Sequence, residues 1–367
     1  MAIDTPYRAI FCDLITDQTI DILPLRDVSF DDYIGKAGSL SGTIPIPNKE
    51  IADRVKKVRE GRTAVYLERG GDLWWGGIIW TTTLQSSGRG VLTLGIQAAT
   101  FDSYAGRRRI RADLSYTDTD QLEIARGLWR EMTTKNARCF KVSFGEEQSD
   151  VLRTMSWRDG DETVYLEALD QLAGLQDGFE YQFLVYRDPA TGERVRQLRL
   201  GHPKIRTGAT DLLFDRPGVI LSYSFPYDAT RGGTTAVARG ASAGGNAGQE
   251  SRPLISTPQE LATELLSDGW PLIDLSSDHN EISDQLTLNA LAKAELDAAR
   301  GPVVIPAISI HLGGIVPPAL IGRVARVRIT DEWFSGGLDA RYRIIGIKIT
   351  PPERGRPDTA ELYLEEA

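Results

Sequence analysis

The sequence predicts a mainly β protein with an α+β insertion, in which two small β-barrels flank mixed α/β modules. Three observations carry this. Alternating apolar and polar runs, separated by Gly-rich turns, fill roughly the first hundred residues. Helical spacing is concentrated in the middle of the chain. β-prone runs then return after Pro302 and continue to the end.

The first region contains Tyr7 to Ile15, Thr19 to Leu23 and Ser39 to Pro45, each apolar on alternate positions or β-prone throughout. Thr63 to Arg69 and Leu73 to Trp80 are split by Gly70-Gly71, a hairpin signal. Thr81 to Gln85 and Val91 to Ala98 repeat that arrangement around Ser86–Gly90. The one helix expected here, Lys49 to Glu60, is charged and stopped by Gly61.

In the middle, Leu122, Ala125, Leu128, Trp129 and Met132 share a helical face within Asp118 to Met132. Tyr165, Ala168, Leu169 and Leu172 do so within Thr163 to Leu175. Phe179 to Tyr186 and Arg194 to Leu200 read as strands around the turn Asp188–Gly192. Val219 to Tyr227 is another strand, with Thr234 to Gly240 as its expected partner. The Gly/Ala/Ser-rich stretch from Ala241 to Arg252 is expected to be a mobile loop. Thr257-Pro258-Gln259-Glu260 has the form of a helix start, and Ser283 to Arg300 is a helix stopped by Gly301-Pro302.

Strands return at Val303 to His311, Val324 to Ile329, Tyr342 to Ile349 and Thr359 to Leu364. The domain boundaries follow. Residues 1–105 form the first barrel and 106–215 the α+β insertion. Residues 216–255 are a strand pair with the loop, 256–302 a helical segment, and 303–367 the second barrel, with 216–240 as the segment that could complete it. One internal similarity spans the ends. Gly61-Arg62 opens a β-run that breaks at Gly70-Gly71, and Gly322-Arg323 opens another that breaks near Gly336-Gly337. The match is loose and leaves chance and a true repeat both open.

Composition excludes several classes. A net charge of −9 argues against general or sequence-specific nucleic-acid binding, which wants a basic face. The run Arg107, Arg108, Arg109 and Arg111 is a local exception, read as a solvated or subunit-facing loop. No run approaches the ~18 apolar residues that span a bilayer, so no membrane anchor is expected. Met1 to Ala9 lacks the form of a signal peptide, which places synthesis in the cytosol. With two cysteines, Cys12 and Cys139, a disulfide scaffold is excluded; two buried thiols are the simpler reading, and a single bridge stays open.

No phosphate loop, dinucleotide fingerprint or nucleophile elbow is present. His202, His279 and His311 lie far apart, without a second ligand at metal spacing. His279 stands out because Asp278, Glu281 and Asp284 surround it. Asp13, Asp17 and Asp21 do not make a calcium loop. The acids Glu146-Glu147 and Asp159–Glu162 read as solvated turns. No catalytic residue, cofactor or metal is assigned. The candidate interface residues are Trp74 and Trp75, the arginines 107–109, and the aromatic pair Trp333 and Phe334. Trp74 and Trp75 are adjacent, so in a regular strand one of them stands outside the local core.

Three stretches carry a family resemblance. They are Ile22–Phe30 followed by Gly38–Pro47, Leu73–Ile79 with its Trp-Trp-Gly-Gly centre, and Gly322–Ile329 followed by Leu338–Ile347. Together they resemble the tail-tip hub, or minor tail, proteins of siphophages that infect actinobacteria, themselves similar to the baseplate hubs of contractile phages and injection machines. The resemblance implies two hub barrels with an α/β insertion, three copies in a homotrimeric ring, and six similar positions around it. It implies a virion structural protein at the tail tip, assembled in the host cytoplasm and contacting the distal tail protein, the tape-measure protein and a receptor-binding or central fibre. It would close the tube and open it for DNA. The hub of an injection or gene-transfer particle is an alternative of the same class. A carbohydrate-binding or cell-wall-degrading enzyme, using Trp74 or Trp75 with an acid such as Glu146, is the alternative from another class.

Overall fold

The computed structural model describes residues 7–88, 90–134, 139–242, 252–256, 260–279, 282, 284–299, 303–304, 306–313, 315–352 and 358–367. The helix start at Thr257, Pro258 and Gln259, most of the Gly/Ala/Ser-rich stretch, and the stop at Gly301-Pro302 lie outside these residues.

The chain begins with β1 (Arg8–Asp13), β2 (Thr19–Leu23), β3 (Arg26–Tyr33) and β4 (Ser39–Ile46). Helix α1 (Lys49–Val55) follows, capped by Asn48, whose side-chain oxygen accepts the Ile51 N–H at 2.9 Å. It is shorter than the sequence suggested, and turns carry the chain on to Gly61. Then come β5 (Thr63–Arg69), β6 (Asp72–Ser86) and β7 (Leu92–Thr100). The insertion holds a 3₁₀ turn (Phe101–Arg107), β8 (Leu114–Asp120), α2 (Gln121–Thr134), β9 (Ser143–Phe144), β10 (Leu152–Trp157), α3 (Tyr165–Ala173), β11 (Glu180–Arg187) and β12 (Arg194–Gly201). β13 (Leu212–Arg216) and β14 (Ile220–Ser224) return to the main sheet.

After β14 come β15 (Tyr227–Asp228), β16 (Thr235–Ser242), β17 (Pro253–Ile255), β18 (Glu260–Leu261), α4 (Thr263–Ser267), β19 (Asp274–Asp278), α5 (Gln285–Ala298) and β20 (Val303–Val304). The last strands are β21 (Ala307–His311), β22 (Val324–Ile329), β23 (Leu338–Thr350) and β24 (Thr359–Glu366). The residues form two compact units: Met1–Tyr223 with Ala307–Ala367, and Ser224–Pro306.

The first unit is built on one sheet of thirteen strands, with a path running β14-β21-β24-β23-β3-β4-β7-β6-β5-β1-β2. β5 is buried at every position, because the sheet is covered on both faces here. Ile10, Cys12, Ala64, Tyr66 and Ile78 face the insertion and pack with Leu128, Trp129, Phe140, Leu169 and Phe183. Their strand neighbours Phe11, Val65, Leu67 and Ile79 point the other way and are equally buried. Both cysteines are free thiols.

The internal similarity is real at the level of topology. In chain order the first set is β3, β4, β5, β6, β7 and the second is β14, β21, β22, β23, β24. In space both sets run first, second, fifth, fourth: β3-β4-β7-β6 and β14-β21-β24-β23. Gly61 and Gly322 both hold positive φ, +68° and +84°. The Gly61 N–H donates to the Ile79 carbonyl at 2.7 Å, and the Gly322 N–H to the Ile344 carbonyl at 2.8 Å. Each long strand then shifts register against its neighbour, between Ile79 and Thr81 and between Ile344 and Gly346.

The strands expected to form two small barrels run in a single continuous sheet, and among the described strands no pairing closes a barrel. Strand length makes the sheet continuous. β23 outruns β22, and its free second half pairs antiparallel with β3, joining the second repeat to the first edge to edge. The expected pairing of Val219–Tyr227 with Thr234–Gly240 is corrected. β14 pairs with β21, whereas β16 pairs with β17 and β18 antiparallel and with β19 parallel.

The second unit packs α5 on that small sheet. Leu288, Ala292 and Leu296 meet Ala236, Ala238 and Ala262, small residues that let the helix lie close.

Candidate assembly interface

The joint between the repeats is the internal interface of the sheet. Phe30, Asp31, Asp32 and Tyr33 lie opposite Ile349, Lys348, Ile347 and Gly346. Past the strand, the Ile34 N–H donates to the Ile345 carbonyl at 2.9 Å. Tyr33 lies over Gly346 so closely that a Cβ there would come 2.3 Å from the ring; Tyr363 is 5.6 Å away between centroids, and the Lys36 ammonium lies 4.5 Å from the Tyr33 ring centre. The Asp31 carboxylate accepts the Ser39 N–H at 2.6 Å and its hydroxyl at 2.9 Å, and the Asp31 carbonyl accepts the Trp75 indole N–H at 2.9 Å. Behind the joint, Asp102 is buried and its carboxyl is pushed above the usual range by desolvation, against a 2.5 Å hydrogen bond from Thr100. Asp32 is pushed well above its usual value by burial and by the nearby Asp102 charge.

The sequence-predicted interface residues fall in three places. Trp74 is 5% exposed and Trp75 2%, so neither reaches the surface of the chain, which corrects the expectation that one faces a partner. Register shifts between Leu67 and Glu68, leaving Trp74 as the extra residue of a bulge, so regular alternation does not apply to the pair. Trp74 is edge-on to Tyr7 at 5.1 Å, with the Arg69 guanidinium 5.1 Å from its ring.

The arginines have local partners. Arg107 lies 5.2 Å over Trp80, Arg108 donates to the Tyr104 hydroxyl at 2.9 Å, and Arg109 sits 3.6 Å from the Glu162 carboxylate. Arg107 thus ties the 3₁₀ turn to β6, Arg108 closes onto the turn itself, and Arg109 reaches the segment before α3.

Trp333 is 76% exposed on the β22–β23 turn. Asp331 accepts the Trp333 and Phe334 N–H groups at 3.0 and 2.9 Å, and Phe334 packs 5.8 Å from Tyr223. Of the predicted residues, Trp333 alone presents a large apolar side chain to solvent.

Sequence reasoning missed a bare stretch of strand edge and the ends of the strand path. β5 pairs with one edge of β6 only as far as Ile78, so from Thr81 to Ser86 that edge has no strand beside it among the described residues. Leu84 is 66% exposed there. The path ends at β14, with Leu221 41% exposed, and at β2, with Ile22 44% exposed. The unusual length of the β-run from Leu73 to Gln85, against its shorter partner, is the one sequence signal that could have shown the first of these.

A cleft of about 670 Å³ lies between the Ile15–Asp17 turn and the β11–β12 hairpin. Arg194 and Arg196 on its wall pair with Asp17, and Arg187 pairs with Glu68. Among the described residues no cluster of His, Cys, Asp and Glu could hold a metal. His279 meets Glu295 at 2.9 Å, and Ser277 donates to the same carboxylate, fastening β19 to α5. No helix among the described residues is long and apolar enough to cross a membrane.

At the level of sequence, no family model and no curated protein matches this chain. Solved structures do. The 43 kDa tail protein of prophage MuSo2 from Shewanella oneidensis aligns over 98% of both chains, with a TM-score of 0.59 at 12% identity. A tail protein from Neisseria meningitidis aligns over 98% of this chain and 96% of its own, with a TM-score of 0.57 at 15% identity. A component of the Escherichia coli type VI secretion system, described as similar to the T4 tail proteins gp27 and gp5, covers 94% of this chain and 74% of its own, at 0.51 and 11%. At such identities the likeness is one of architecture, and along nearly its whole length this chain has the fold of prophage tail proteins.

Proposed function

We infer that the chain is a structural protein of a phage tail, acting as the tail-tip or baseplate hub. Its copies form a ring that joins the tail tube to the fibre or spike and closes or opens the DNA channel. The observation that carries this is the tandem pair of four-strand repeats in one sheet. A protein that must meet a six-fold tube with three copies needs two similar faces per copy, and this chain contains two similar units side by side. The likeness of the fold to tail proteins supports the same reading. The partners would be the distal tail protein, the tape-measure protein and a receptor-binding or central fibre, in a homotrimer within the virion.

Electron microscopy of the particle, with the chain marked by an antibody, tests this. Label at the tail tip and a three-fold ring of this chain are the expected results. Label along the tube or on the head overturns the reading.

The type VI component among the structural relatives favours one second reading, the hub of a phage-like injection or gene-transfer particle. Particles that contain this chain but no packaged DNA would select the injection machine. No observation favours the enzyme: Trp74 and Trp75 are buried and Glu146 is a solvent-exposed loop residue.

A further inference from the structure

We propose that the cleft between the Ile15–Asp17 turn and the β11–β12 hairpin is a binding site for a neutral oligosaccharide. The inference goes beyond the hub reading and does not depend on it. At about 670 Å³ the cleft lies within the roughly 300–1,000 Å³ range of small-molecule sites.

Its walls are fixed before any ligand arrives. On one side, the Asp13 carboxylate accepts the Ile15 and Thr16 N–H groups at 3.1 and 3.0 Å and holds the turn. Asp17 follows at a positive φ of 58°, and its carboxylate accepts the Tyr66 hydroxyl at 2.9 Å and the Arg194 Nε–H at 2.8 Å. Arg196 is buried and donates to the Tyr66 hydroxyl at 2.6 Å and to the Leu14 carbonyl at 2.9 Å. On the other side, the Asp188 N–H donates to the Glu193 carbonyl at 2.8 Å, and Arg187 donates to the Gly192 carbonyl at 3.0 Å, which closes the hairpin. Each guanidinium on the lining is thus engaged inside the protein.

What remains to face a ligand is mixed. Lys141 and Glu193 are exposed and form no ion pair among the described residues, and the Ser143 and Tyr186 hydroxyls have no hydrogen-bond partner there. One free positive charge is therefore matched by one free negative charge. Two of the exposed large apolar side chains, Ile15 at 48% and Tyr186 at 38%, stand on the two walls. Tyr186 lies opposite Val195 across the hairpin, which widens its apolar surface.

A ligand that answers this lining has hydroxyls that both donate and accept, no net charge, and an apolar face for the tyrosine ring. A pyranose ring is divided in that way, with C–H groups on its faces and hydroxyls around its rim. An anion fits poorly, because the arginines are committed to Asp17 and Glu68 while Asp188 and Glu193 line the same space. A wholly apolar ligand would bury the free polar ends without partners.

The test is isothermal titration calorimetry on the full chain with three neutral trisaccharides, maltotriose, mannotriose and chitotriose, and with inorganic phosphate. At least one trisaccharide should bind, and Tyr186→Ala should weaken it about tenfold by removing the stacking surface. Tyr227→Ala removes an exposed tyrosine of the second unit and should change nothing. Should Tyr186→Ala disturb the hairpin by circular dichroism, Ser143→Gln gives the second measurement, since it crowds the cleft from the β9 side and should also weaken binding. Failure of all three trisaccharides to bind overturns the proposal. Binding that Tyr186→Ala and Ser143→Gln both leave unchanged, or that Tyr227→Ala weakens as much, overturns it as well, because the sugar then sits elsewhere. Phosphate binding that is lost in Lys141→Ala, with no sugar bound, would make the cleft an anion site and overturn the neutral ligand.

Discussion

The two repeats do the same thing with opposite economy. The first runs without interruption from Arg26 to Thr100, and its first two strands are joined by the short turn from Ile34 to Gly38. The second starts at Ile220 and admits the whole second unit between its first two strands before it resumes at Ala307. The position where one copy of the repeat has a tight turn is where the other tolerates a folded insertion. A connection between adjacent strands begins and ends about 5 Å apart, so what it carries has little leverage on the sheet. The interiors differ as well. By the register shift, Ile78 of the first repeat corresponds to Arg343 of the second. Ile78 packs in the apolar cluster. Arg343 is fully buried, donates to the Ile205 carbonyl and the Glu365 carboxylate, each at 2.8 Å, and grips Glu180 with both terminal nitrogens. The repeated backbone is thus a frame in which the same position serves as an apolar contact or as an ionic tie to the insertion.

The largest effect should come from denying that difference. Arg343→Ile gives the second repeat the residue of the first and takes from Glu180 its buried arginine partner, while Glu365 keeps Lys204, a loss of about 3–5 kcal/mol in urea unfolding. If the loss is no more than a conservative core change, the ionic tie is not what distinguishes the repeats. The joint comes next. Gly346→Ala pushes a methyl into the Tyr33 ring and should cost about 1–3 kcal/mol. Thr81→Val at the matching place on β6 should stay within about 0.5 kcal/mol in the isolated chain. Equal losses would mean that the joint owes nothing to the Tyr33–Gly346 fit.

The matched turn glycines should separate by a smaller margin. Gly61→Ala and Gly322→Ala both pay about 1–2 kcal/mol for positive φ. Gly322→Ala should lose more on thermal unfolding, since its Cβ would sit 2.9 Å from the Thr207 hydroxyl, while the nearest atom to one at Gly61 is 3.7 Å away. The last effect belongs to the first repeat. Asp32 and Asp102 bind protons more tightly in the folded chain than unfolded, so the native state holds more protons between the usual carboxylate range and the raised values. Stability therefore falls as pH rises through that window. Asp102→Asn should flatten the slope, and an unchanged slope in denaturation curves from pH 4 upward would remove Asp102 from the account.

Much of this frame is legible in the sequence. α2, α3 and α5 show in their apolar spacing, and β5, β6 and the Gly70-Gly71 turn show in alternation and turn chemistry. The two Gly-Arg starts point to the repeat. What was hidden is non-local. Nothing in Arg26–Tyr33 says that its partners are β4 on one side and β23 on the other, because strand pairing is written in neither segment alone. β8 and β10 escaped because their solvent-facing positions are polar and their apolar ones few. The bulge at Trp74 inverted the reading of the tryptophans, since one extra residue breaks the alternation from which facing is inferred. The open edges were invisible for the same reason as the pairings: an edge is defined by the absence of a neighbour, and sequence does not display neighbours.

The joint between the repeats is narrow. It rests on Phe30–Tyr33 against Gly346–Ile349, whereas β4 and β7 pair along their full length from Ser39 to Ile46. A seam with so few backbone bonds is a compliant line in the sheet, able to act as a hinge between the two repeats. A closed chain of such repeats changes its bore by bending at each seam while every repeat keeps its shape. Amide exchange would then be faster at Asp31 to Ile34 and their partners than along β4 and β7, and in the ring proposed above the bore would be set by four residue pairs rather than by the bulk of the protein.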